Sequence, residues 1–136
     1  MDAAETAFRR TGLPVGIEGY AVIHEVAVSN LMLGLDVFVD ADNAVPEARA
    51  GWREAAHRGR AQLLQVETWL PDQLEHRRRV EARTADIPDD QVPSWDEVES
   101  QPWEPWDIER DGPRALIDTS DSSQALFALL HAQQHS

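Results

Sequence analysis

Leu35-Asp36-Val37-Phe38-Val39-Asp40-Ala41 is a short β-rich run that ends in acid, follows a glycine and leads into Pro46. Read as a strand, it sets the period of everything around it. Upstream, Val22, Val26 and Leu33 fall near one face of a helix expected over Glu18 to Leu33, with Ile23, Ala27 and Leu31 beside them. Gly34 is placed as the C-terminal cap of that helix. Downstream, Pro46 suits the first turn of a further helix, which Gly59 closes. An earlier helix is expected from Asp2 to Arg10, stopped by Gly12 and Pro14.

The alternation continues towards the C-terminus. Ala61 to Trp69 (AQLLQVETW) reads as a strand, and Pro71 with Asp72 opens a helix carrying Glu75, Arg77, Arg78, Arg79 and Arg83. Thr84 to Gly112 changes character to a long loop rich in proline, tryptophan and acids. Within it Ser94-Trp95-Asp96-Glu97 offers a capping box for one short helix. A last strand, ALID, lies within Arg114 to Thr119, and Asp121 or Ser122 can cap a final helix through Leu130. Strands alternating with helices argue for parallel βα units with right-handed crossovers. The expected fold class is therefore α/β, a three-layer parallel sheet with flanking helices. In such sheets ligands sit at the carboxyl ends of the strands, which is where Asp40, Asp42, Asn43 and Asp118 would lie.

The 136 residues suffice for one domain with a true core. Twelve basic against 25 acidic residues give a formal net charge of −13, which repels phosphate backbones and anionic membranes. No duplex nucleic acid and no membrane is expected as a partner, the apolar runs are too short to span a bilayer, and the start lacks a secretory pattern. A cytoplasmic location is the expectation. Cysteine is absent, so disulfides and thiolate chemistry are excluded. All twelve basic residues are arginine. Without lysine there is no Schiff base and no lysine to reach β/γ-phosphates, and no Gly-Lys-Ser/Thr follows the glycines at 12, 16 and 19.

Asp40 and Asp42 suit either a Mg²⁺ or substrate site or a strand-end turn. Arg79 and Arg83 stand four apart on one helix face, a spacing that fits a phosphate clamp or a solvated face with Glu75 paired to Arg79. Arg9 and Arg10 invite the same two readings. His131 and His135 share helical spacing without a third ligand, and no metal set is expected. Trp95, Trp103 and Trp106 can stack on a ligand or anchor the proline-rich loop. No G-x-S-x-G elbow is present for serine hydrolase chemistry.

Taken together, MDAAETAFRRTG, GYAVIHEVAVSNLMLGLDVFVDADNAVPEARAGW, VETWLPDQLEHRRRVEARTADIP, WEPWD and ALIDTS make the chain resemble the kinase-like P-loop proteins often labelled AAA family ATPases. Polynucleotide kinase, adenylylsulfate kinases, gluconate kinases and zeta-toxin-like kinases are of this group. The resemblance implies an ATP- and Mg²⁺-dependent transfer of a phosphoryl group to a hydroxyl of a small molecule or nucleotide. It further implies that Asp2 positions the acceptor hydroxyl, that Arg9 or Arg10 binds the acceptor, and that Asp40 or Asp42 sits at a Walker B-like strand end. Asn43 and Arg49 would lie on the substrate side, Arg79 and Arg83 would be lid arginines, and Asp118, Thr119 and Ser120 would lie near the adenine. The lid and its loop would span about 77–112.

In that group a βαβ opening with the Walker A loop precedes the segment matching Met1 to Gly12. Residues 1–136 thus read as a single truncated kinase-like domain, without kinase activity or a bound cofactor of its own, and marginal, rearranged or oligomeric as a fold. The alternative is a non-catalytic α/β module that binds a phosphorylated ligand or a protein partner.

Overall fold

A computed structural model describes residues 17–84 and 92–134 of the chain. Among these residues six helices and two strands follow one another: α1 (Ile17–Met32), α2 (Pro46–Arg58), β1 (Val66–Trp69), α3 (Gln73–Ala82), α4 (Trp95–Ser100), α5 (Ile108–Asp111), β2 (Ala115–Asp118) and α6 (Ser122–Gln134). They fall into two compact units. The first holds residues 17–62 and 102–106 among those described, and the second holds 63–84, 92–101 and 107–134.

In the first unit α1 packs on α2. Ala27 and Val28 are buried on α1, and Ala48, Trp52, Ala55 and Ala56 on α2. Small residues dominate this list, which lets the two backbones approach closely. Gly51 and Gly59 show how closely. A Cβ added to Gly51 would stand 2.1 Å from Cε1 of His24, and one added to Gly59 would stand 2.6 Å from Cβ of Leu31. The His24 ring is itself held edge-on against Trp52, with centroids 4.3 Å apart. Burial lowers the pKa of His24, against a smaller opposing pull from the Glu25 carboxylate. Its Nε2 is buried and has no hydrogen-bond partner among the described residues.

The expected ends of these helices are found. Gly34 takes φ +79°, its N–H donates to Leu31 O at 2.9 Å, and the Leu35 N–H donates to Asn30 O, so a left-handed glycine closes α1. Pro46 begins α2, where its missing N–H costs no helical bond. Gly59 ends α2 in a right-handed conformation, and Arg60 takes the positive φ instead. Arg58 joins the two helices by a two-pronged ion pair to Glu25, at 2.5 and 2.8 Å.

The second unit is built on a parallel pair in which Val66, Glu67, Thr68 and Trp69 face Ala115, Leu116, Ile117 and Asp118. Ile117 is the buried apolar residue of that pair, and α6 packs against β2. The Gln65 amide donates to Asp111 O and Pro113 O, fixing the chain just before β2. Arg114 and Glu67 form an ion pair between the neighbouring strands. Local capping works as the sequence implies. Asp72 accepts from the Leu74 and Glu75 N–H groups, Ser94 and Glu97 form the reciprocal box, and Asp121 accepts from the Gln124 N–H.

The expected three-layer parallel sheet with flanking helices is not formed. Among the described residues the sheet has two strands, and the Leu35–Ala41 run carries neither helix nor strand. The Ala61–Trp69 segment becomes a strand only from Val66. A β-prone run becomes a strand only when a neighbour accepts its backbone hydrogen bonds, and no described segment lies in register with residues 36–39. Leu33, Leu35 and Phe38 are accordingly exposed, at 77%, 52% and 78%. The helix expected over Asp2 to Arg10 falls outside the described residues.

The α1–α2 contact yields a first expected outcome. Gly59→Ala should destabilise the chain by about 1–3 kcal/mol, the usual range for overpacking, because Leu31 Cβ moves only with its backbone. Urea denaturation followed by circular dichroism measures this, and unchanged stability would mean that α1 and α2 are farther apart.

Candidate functional site

Arg49 is the most completely buried cation among the described residues, with 1% of its surface exposed. A buried guanidinium requires partners for its N–H groups, and the described residues supply four main-chain carbonyls. Its Nε donates to Asn43 O at 2.9 Å and Nη1 to Pro105 O at 3.4 Å. Nη2 donates to Ala44 O and Glu104 O. The cation also lies over two rings, 5.5 Å from the Trp103 centroid and 5.2 Å from that of Trp106. Asn43 is positioned by the same cluster. It takes φ +51°, its Oδ1 accepts from Trp52 Nε1 at 2.7 Å, and its Nδ2 donates to Ala41 O. The structure thus brings Asn43 and Arg49 together, with the Asn43 side chain bonded to Trp52 and Ala41 and the Arg49 guanidinium reaching the backbone of Glu104 and Pro105.

Arg79 behaves in the same way in the second unit. Its Nε donates to Glu75, Nη1 to Thr119 O at 2.7 Å and Nη2 to Ser120 O at 3.1 Å. The Ser120 N–H donates to Asp118 Oδ1 at 2.8 Å, closing a turn directly after β2, and the Ser120 hydroxyl, followed by this N–H, holds the Asp118 carboxyl below its usual range. The expected lid arginine and the three residues expected near adenine therefore do meet. Three of the five arginine donors are bonded within the protein in doing so. Arg83 goes elsewhere. It follows α3 as its C-cap and lines an open pocket of about 430 Å³ with Arg77, Val80, Ser94 and Trp95, together with the acids Glu81 and Asp96.

Asp40 and Asp42 are exposed, and the segment that carries them is not a strand end, so the Walker B-like placement is lost with the strand. Asp2, Arg9 and Arg10 lie outside the described residues. No group of three or more His, Asp or Glu suited to a metal ion occurs among the described residues. None of the described helices is long and apolar enough to cross a membrane. Sequence reasoning missed the burial of Asp111, which is wholly enclosed and accepts from the Asp107 N–H and from Arg110 Nη2. The signal was the Asp107–Asp111 pair bracketing a four-residue helix, with Asp107 as the cap. It also missed the exposure of the Leu35–Val39 side chains, which no local signal carries.

Glu75 lies beneath two arginines. The Arg78 hydrogen bonds and then the Arg79 bond pull its carboxyl down from the ordinary value to about 2. A depressed carboxyl stabilises the fold fully above the unfolded value near 4.5, and the effect is lost as pH falls from there through about 2.

Two outcomes follow from this geometry. In a carboxyl NMR titration, Arg78→Ala should raise the Glu75 midpoint further than Arg79→Ala does, and equal midpoints would refute the bonding order. Arg49→Lys removes the planar fork of donors and should cost about 2–4 kcal/mol, the scale for disrupting a buried charge network. Tryptophan fluorescence should shift to the red as Trp103 and Trp106 lose their anchor, and an unchanged spectrum and stability would refute the clamp.

No family model, no curated protein and no solved structure matches the chain, so the geometry above carries the functional reading by itself.

Proposed function

We propose that the chain is a non-catalytic binding module for a protein partner in the cytoplasm. The observation that carries this reading is the run from Leu33 to Val39, whose large apolar side chains face solvent, Leu33 and Phe38 by more than three-quarters of their surface. Contiguous exposed apolar surface of this kind marks a place where another macromolecule sits. The disposition of the arginines supports the same choice over ATP-dependent phosphotransfer. Phosphoryl transfer requires charges aimed at the moving group, whereas Arg49 and Arg79 are aimed at carbonyls of their own chain. A small phosphorylated ligand is the less supported form of binding, because the pocket at Arg83 is lined by two acids beside its two arginines.

The test joins an activity assay to a binding assay. Purified chain should show no Mg²⁺-dependent ATP turnover above the blank. A partner co-purified with the native chain should be lost from Phe38→Asp and kept by Arg83→Ala, with both variants melting as the parent does. Robust turnover abolished by Arg79→Ala, or a partner indifferent to Phe38→Asp, would overturn the reading.

A further inference from the structure

From Asp36 to Val39 the backbone makes no hydrogen bond to any described residue. The four residues are Asp, Val, Phe and Val, and the last three are among the strongest strand formers. In an extended conformation Leu35, Val37 and Val39 would share one face, and Asp36, Phe38 and Asp40 the other. The run therefore offers a row of open donors and acceptors flanked by apolar side chains, the arrangement that receives an added strand.

Charge selects the occupant. A second copy would bring a chain of net charge −13 against another of −13. Two-fold antiparallel pairing also forces carboxylates together. An axis at Phe38 sets Asp36 of one copy opposite Asp40 of the other, and an axis at Val39 sets Asp36 opposite Asp42. An axis at Val37 leaves Asp36 diagonal to Asp40. Like charges facing each other across a strand pair are destabilising. A segment with arginine or lysine on that face meets attraction at the same positions.

Resting on the protein-binding reading above, we infer that residues 36–39 dock an extended segment of a basic partner protein as an added β-strand. Apolar residues of that segment would lie beside Leu35, Val37 and Val39, and basic residues beside Asp36 and Phe38. Arginine suits the second position as well as the first, since a guanidinium stacks on the Phe38 ring.

The probe is a nine-residue fluorescent peptide alternating valine with arginine, compared with the same peptide carrying glutamate for arginine. A third peptide is the basic one with proline at its centre. Binding to the full chain is followed by fluorescence anisotropy, and hydrogen exchange reads the amides of residues 36–39. The basic peptide should bind about tenfold or more tighter than the acidic one, a difference of about 1.4 kcal/mol. It should weaken with salt, protect those amides, and bind Asp36→Asn several-fold less well. Equal binding of the basic and acidic peptides would overturn the charge selection while leaving the protein-binding reading standing. Equal binding of the proline peptide would overturn strand addition, because proline removes a donor that pairing needs. Sedimentation of the chain alone as a dimer with residues 36–39 protected would assign the run to a second copy and overturn the inference. Failure of all three peptides would overturn it too, and the Phe38→Asp co-purification then judges the functional reading independently.

Discussion

The enclosed guanidinium of Arg49 organises the first unit. Burying a cation away from water is costly unless nearly every donor is bonded, so its position dictates where Asn43, Ala44, Glu104 and Pro105 must present their carbonyls. The indoles of Trp103 and Trp106 complete the enclosure. Arginine suits this task where lysine would not, because its planar fork reaches several carbonyls while its faces stack on rings. Asn43 in turn adopts a left-handed backbone, tolerated by an amide side chain that bonds locally. The Trp-Glu-Pro-Trp stretch is thereby anchored to α2 through Arg49.

The second unit depends on a different device. A pair of four-residue parallel strands is a small structure to stand alone, since parallel strands normally sit within larger sheets covered on both faces. Side chains reinforce it at each end. Gln65 and the Arg114–Glu67 pair secure the start, and Thr119 with Arg79 secures the finish by bonding Trp69 O, Thr119 O and Ser120 O. These uses of arginine account for much of the chemistry that the arginine spacing suggested. Arg49 and Arg79 both point donors at carbonyls of the protein itself.

Large apolar side chains also remain outward. Leu33, Leu35 and Phe38 in the first unit, and Leu74, Leu116 and Phe127 in the second, are exposed by half or more. The net charge of −13 opposes non-specific self-association of such surfaces.

Much of this was legible without coordinates. The Gly34 cap, Pro46 at the start of α2, the Asp72 cap, the Ser94–Glu97 box and the last strand all rest on residues within a few positions of each other, where propensity and capping act. The absence of lysine and cysteine likewise settled which covalent chemistries are closed to the chain. Tertiary structure alone decided the distant partners of Arg49, 55 and 56 residues away in the Glu104–Pro105 segment, and those of Arg79, 40 and 41 residues away. It also decided that Leu35–Ala41 stays out of the sheet while Val66–Trp69 enters it. Both runs carry β-branched and aromatic residues that favour strands. They differ in whether a distant segment arrives in register to take up their hydrogen bonds, and no residue within either run can specify that.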